Sequence, residues 1–202
     1  MALVTTDILK EYLPEVTGTG SDTELSNLLD RVESVIARWL GFPAPDSSNT
    51  PTLAVTTYTL YIDSYWIDDI SVLQLPLNPV VTITSVHADP ERKYTADTEV
   101  NSDEYEIDKQ RGLLIIKPDT STVGFTKGYR ANRVIGTFGF TLYHRDLVHA
   151  VCVYASQLHR AKSSQGKKSS TVRQATTSFL PNTIPPEVKE ILYPYRNSVV
   201  II

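Results

Sequence analysis

The sequence predicts an α+β fold, mainly helical: a small bundle of one short helix, two long helices and a C-terminal helix, with an antiparallel β module inserted between the two long helices. Two observations predict it. Residues Asp22 to Leu40 and Leu142 to Lys162 carry apolar groups at steps of three and four, the spacing that gathers them on one helical face. Between them, Thr, Val, Tyr and Leu crowd into short runs broken by Pro and Asn, a strand-like composition. The two helical stripes need each other as partners, so the middle is an insertion. Residues 1–45 and 140–202 are expected to form the helical core with a C-terminal tail, and residues 46–139 the inserted β module.

Taken in order, Thr6 is placed to cap a short helix from Asp7 to Leu13, limited by Pro14 because proline disfavours helix at the residue before it. Ser21-Asp22-Thr23-Glu24 has capping-box spacing, a hydroxyl at the cap and a carboxylate three residues on. Leu25, Leu28, Leu29, Val32, Ile36, Trp39 and Leu40 continue as one stripe, with Asp30, Arg31, Glu33 and Arg38 off it, until Gly41 and Pro43 stop the helix. Thr52 to Ile62 and Val80 to Val86 read as strands. Tyr105 to Asp108, a Gly112-containing loop and Leu113 to Ile116 read as a hairpin. The apolar arrival Val134 to Phe140 leads into the second long helix, whose stripe is Leu147, Val148, Val151, Cys152, Ala155 and Leu158. Trp39 is expected against the Val151 and Leu158 face. Ser163 to Ser170 reads as a polar loop. Pro185 and Pro186 open a last helix with Glu187 and Glu190 in its early turns and Ile191 and Leu192 facing inward, and Pro194 closes it.

The bulk numbers suit a soluble globular protein. With 202 residues, 41% hydrophobic and 21% charged, the chain can bury one respectable core. No apolar run approaches the roughly 20 residues of a membrane-spanning helix, and the N-terminal residues lack the pattern of an export signal. The lone Cys152, on an apolar helical face, reads as a small buried hydrophobe in a reducing compartment. The net charge of -4 is uneven: Asp46 to Arg130 holds 13 acidic and 7 basic residues, a net of -6, leaving +2 for the flanks.

Catalytic signatures do not survive inspection. Gly166-Lys167-Lys168-Ser169 echoes a phosphate-binding loop, but Ala161 stands where the first glycine belongs and a helix precedes it in place of a strand. His149, Cys152 and His159 lack the further ligand of a tetrahedral metal site. His144, Asp146 and Ser156 share one helix in a geometry set by its pitch, which is no triad. No catalytic residue, metal or cofactor is therefore assigned. The basic run Arg160, Lys162, Lys167, Lys168 and Arg173 is chemically suited to phosphates or an acidic protein surface, without a recognisable reading element for nucleic acid. Tyr58, Tyr61, Tyr65 and Trp66 would make a stacking platform if exposed, and otherwise core or interface. The tail, Asn197 to Ile202, ends in four β-branched apolar residues and is expected to be an unpaired strand that pairs on a partner's sheet edge.

The order of parts carries a resemblance. A short helix, a helix ending Arg38-Trp39-Leu40-Gly41-Phe42, a Pro79-Val80-Val81-Thr82-Ile83-Thr84-Ser85-Val86 strand, a Tyr105-Glu106-Ile107-Asp108 hairpin reaching Gly112-Leu113-Leu114, and Thr137-Phe138-Gly139-Phe140 leading through Arg145-Asp146-Leu147 into a helix resemble the head-to-tail connector, or adaptor, proteins of tailed bacteriophages. The likeness spans almost the whole chain, with His144 where the family usually has proline. It implies a structural virion protein without enzymatic activity, made in the host cytoplasm and placed in the neck. It further implies a homo-oligomeric ring, expected to be a dodecamer, beneath the portal protein, which meets tail-side neck or tail terminator proteins. Genomic DNA would pass through the bore without sequence-specific binding, and no membrane is involved. Partner-binding residues expected on this basis are Ser198, Val199, Val200, Ile201 and Ile202 with Lys167, Lys168 and Arg173. The alternatives are another phage tail-completion protein, or a β-module binder of carbohydrate or another surface ligand.

Overall fold

The structure, a computed structural model, describes residues 4–64, 71–118, 124–142, 144–162, 169–172, 175–178 and 184–197. The chain divides into two compact units, Met1–Leu40 with Leu142–Arg196, and Gly41–Thr141 with Asn197–Ile202.

The first unit holds α1 (Thr6–Glu11), α2 (Asp22–Trp39), α3 (Arg145–Ala161) and α4 (Pro186–Leu192). Thr5, one residue before the expected cap, accepts from the Ile8 amide at 3.4 Å. At α2 the expected capping box does not form: Ser21 makes no side-chain cap bond, and the Glu24 carboxylate accepts instead from Lys162 at 2.6 Å. A cross-helix charge outcompetes a local amide for that carboxylate. Leu25, Leu28, Leu29, Val32 and Ile36 are buried as the periodicity requires, and so is Glu33, which takes the Val4 amide at 3.3 Å. Because α1, α2 and α4 all pack against it, α3 is buried on more than one face, which Ala150, Cys152 and Ala155 permit through their small size. Trp39 is half-buried beneath the Arg196 guanidinium, 5.4 Å from its ring centre. β7 (Ser169–Val172), which begins at the end of the stretch read as a polar loop, and β8 (Ala175–Ser178) pair as an antiparallel hairpin.

The second unit overturns the mainly helical expectation. Its core is sheet-rich: β1 (Thr56–Ile62), β6 (Asn132–Phe138) and β3 (Val80–Ala88) form one antiparallel sheet in the order β1-β6-β3, and β2 (Val72–Gln74), β5 (Leu113–Ile116) and β4 (Tyr105–Asp108) form another in the order β2-β5-β4. The fold is α+β, and only α2 and α3, of 18 and 17 residues, are helices of any length among the described residues. Strands as short as β2 leave little periodicity to read, so helical stripes dominate the sequence pattern. In β6 the side chains alternate strictly between buried and half-buried, with Val134 and Phe138 inward. Gly136 is demanded at its centre, since a Cβ there would lie 2.6 Å from the Thr82 carbonyl oxygen, beside register shifts in β3. The end of the described chain belongs to this unit: Asn197, 4% exposed, accepts from the Asn78 amide at 2.7 Å.

Candidate functional site

Three cross-strand neighbours begin the site. Tyr61 of β1 and His87 of β3 are both register partners of Arg133 in the central strand β6, so the three side chains form one row on one sheet face. Tyr94 covers the row: its ring centre is 5.7 Å from that of Tyr61 and 6.4 Å from that of His87, and the Arg133 guanidinium stands 4.6 Å over it. Burial first, and then the neighbouring Tyr61, push the Tyr94 hydroxyl above its ordinary pKa.

Two loops hold this arrangement. Asp89, 3% exposed, accepts from the amides of Glu91 and Lys93 at 2.8 Å each and Tyr94 at 2.7 Å. Burial pushes its carboxyl up, but the amides of Tyr94, Glu91, Lys93 and Arg92 outweigh burial and hold it below the ordinary value. That cradle allows Arg92 and Tyr94 to sit at φ 61° and 49°, the left-handed region that costs a side-chain-bearing residue. The second loop, residues 126–131, places Arg130 at φ 50°. Its amide donates to Asp63 at 2.7 Å, and its carbonyl accepts from the Tyr94 hydroxyl. Behind it the fully buried Asn132 donates to Ser64 at 3.0 Å and to the Thr126 carbonyl at 2.8 Å. Non-glycine residues at positive φ cluster where structure over-determines them.

The outcome is a cationic aromatic surface. The Arg130 guanidinium lies 5.4 Å from the ring centres of both Tyr61 and Tyr129, which are 46% and 48% exposed. Arg133 donates to the Tyr94 carbonyl at 3.4 Å, while its Nε is buried without a protein partner. A guanidinium backed by aromatic faces keeps its donor edge directed outward, ready for a carboxylate or phosphate. Of the nearby acids, Asp63 and Asp89 are occupied by backbone amides and Glu91 by Lys93 at 2.5 Å.

The first unit carries a separate groove of about 370 Å³ along α2 and α3. Leu28, Val32, Val35, Tyr154 and Leu158 give it apolar walls, and the Glu24–Lys162 pair lies at its rim.

The expected site residues fall mostly elsewhere. Ser198, Val199, Val200, Ile201, Ile202, Lys167, Lys168 and Arg173 lie outside the described residues, as do Tyr65 and Trp66. Tyr58 is no platform: it is 2% exposed, edge-on to Phe138 at 6.1 Å, and burial pushes its hydroxyl up to about 12. Two members of the basic run are used internally. Arg160 bridges Glu15 at 2.9 Å and the Tyr12 carbonyl at 2.8 Å, and Lys162 pairs with Glu24. His149 bonds Tyr12 at 2.9 Å, Ser156 donates back to the Val153 carbonyl at 2.9 Å, and Asp146 accepts from Tyr195 at 3.4 Å. Among the described residues no three His, Cys, Asp or Glu converge as metal ligands. Sequence reasoning missed Tyr94, Tyr129, Arg130 and Arg133. The Asp89-Pro90 pair, a turn initiator, was the local signal for one of the two loops. The chain matches no protein-family model and no curated protein sequence.

Proposed function

We propose that the protein is a structural subunit of a tailed-phage neck, a head-to-tail connector that forms a ring between portal and tail and lets DNA pass. The observation that supports this reading is that the resembling motifs fall on regular elements. Val80 to Val86 lies in β3, Tyr105 to Leu114 forms the β4–β5 hairpin, and Thr137-Phe138 ends β6 shortly before Arg145-Asp146-Leu147 opens α3. No described helix is long and apolar enough to cross a membrane. The protein acts by assembly, with Ser198 to Ile202 engaging the portal and the Asn197–Asn78 bond anchoring the residue that precedes them. A carbohydrate-binding reading loses support because Tyr58 is buried and the Arg130 guanidinium already occupies the faces of Tyr61 and Tyr129.

The test is co-purification with the portal protein of the same virion. The full chain is expected to be retained, and a chain ending at Asn197 to fold yet be lost from the complex. Absence of retention, together with binding to glycans on an array, would replace this reading with the carbohydrate binder.

A further inference from the structure

We propose that the surface of Tyr61, Tyr94, Tyr129, Arg130 and Arg133 docks the carboxylates of Asp103 and Glu106 of a second copy of this chain, so that copies associate head to tail. The proposal deepens the ring reading and rests on it only for closure of the series.

The arginine side is built for one class of ligand. Tyrosine and arginine are the side chains most enriched at the energetic centres of protein interfaces, because they bury large rigid area while offering a polar edge. Here that edge is cationic: Arg130 is exposed, and no described residue accepts from its guanidinium. A carboxylate accepting charge-assisted bonds matches this donor set.

The acidic side lies on the same unit, in and just before strand β4 of the other sheet. Asp103 sits in the 3-10 turn Ser102–Glu104 and Glu106 in β4, both are exposed, and neither carboxylate makes an ion pair with a described residue. Asp97 and Glu99 are exposed as well; the backbone of Glu99 forms an isolated β-bridge with that of His87. One unit therefore presents a cationic aromatic surface and exposed carboxylates that make no ion pair with it among the described residues. A contact between two different surfaces of identical copies leaves one of each open at the ends, and such a series closes into a ring or extends.

A nucleic acid is the weaker occupant. Duplex DNA carries one charge per about 1.7 Å of its axis. Residues 46–130 bring a net charge of -6, so a long polyanion seated on the patch would be repelled by the rest of the module. A carboxylate on a compact partner meets only the local cationic field within the screening length.

Sedimentation of the full chain over a concentration series tests the proposal, using wild type, Arg130→Glu, and the double variant Asp103→Lys with Glu106→Lys. Wild type is expected to self-associate, each variant alone to weaken that association by about tenfold or more, and an equimolar mixture of the two variants to associate again. Recovery in the mixture requires both variants to be folded. A wild type that stays monomeric throughout, variants that associate as wild type does, or a mixture that fails to recover would each overturn the proposal. So would retention of a labelled oligonucleotide by wild type that Arg130→Glu abolishes while self-association persists. Portal co-purification is measured separately, so the connector reading stands or falls without this result.

Discussion

The Tyr94 hydroxyl donates to the backbone carbonyl of Arg130 across 36 positions of sequence, and both residues hold positive φ. One bond thus ties together the two loops that present the cationic aromatic surface. Tyr94→Phe keeps the ring and removes this bond alone. It is expected to lower the unfolding free energy by about 1 kcal/mol, measured by denaturant titration, while leaving the sheet intact by circular dichroism. No loss of stability would mean that the loops hold their conformation without it.

Asp89 gives a pH signature. Its carboxyl is held below the ordinary value of 3.8, so as pH falls the unfolded chain takes up this proton before the folded one does. The stability it contributes is complete above the unfolded value and is lost as pH drops through the folded one. In Asp89→Asn that contribution is absent. Wild type should therefore be the more stable above about pH 5 and converge toward the variant as pH falls below 4. Parallel stability curves across that range would show that the amide cradle does not depend on charge.

Gly136→Ala tests the sheet register. The added Cβ would meet the Thr82 backbone oxygen at 2.6 Å and the Ile83 side chain at 3.0 Å, so β3 must shift. A loss of about 1 to 3 kcal/mol is expected in thermal or chemical unfolding. An unchanged midpoint would place β3 in a different register.

In the helical unit, Val151 is fully buried on α3. Val151→Asp puts a carboxylate there without a partner, with an expected cost of about 3 kcal/mol or more. A neighbour reports the same packing chemically: burial raises the Cys152 thiol to about 12, so it should resist thiol reagents at neutral pH until the protein unfolds. Prompt labelling of the native chain would contradict the burial of α3.

Parts of the fold were legible because their signal is local. The α2 stripe from Leu25 to Ile36 and the hairpin around Gly112, at φ 66°, are each read from a dozen or so consecutive residues. Glu33 was placed off the stripe by its charge, yet it is buried because the Val4 amide arrives from outside the helix. The short β2 has no period to detect, and it is a strand only because β5 pairs with it. The surface patch was illegible for the same reason. Tyr61, His87, Tyr94, Tyr129, Arg130 and Arg133 come from four stretches that meet through sheet register and two loop conformations. No local pattern encodes that meeting.

The central claim is that this chain is a neck component, and imaging of the virion tests it most directly. The protein, carrying a bulky tag at its N-terminus, is incorporated into particles and the averaged neck is compared with that of untagged particles. The account predicts extra density arranged as a ring between portal and tail. Tag density on the capsid shell or at the distal tail, or infectious particles that lack the protein altogether, would contradict it.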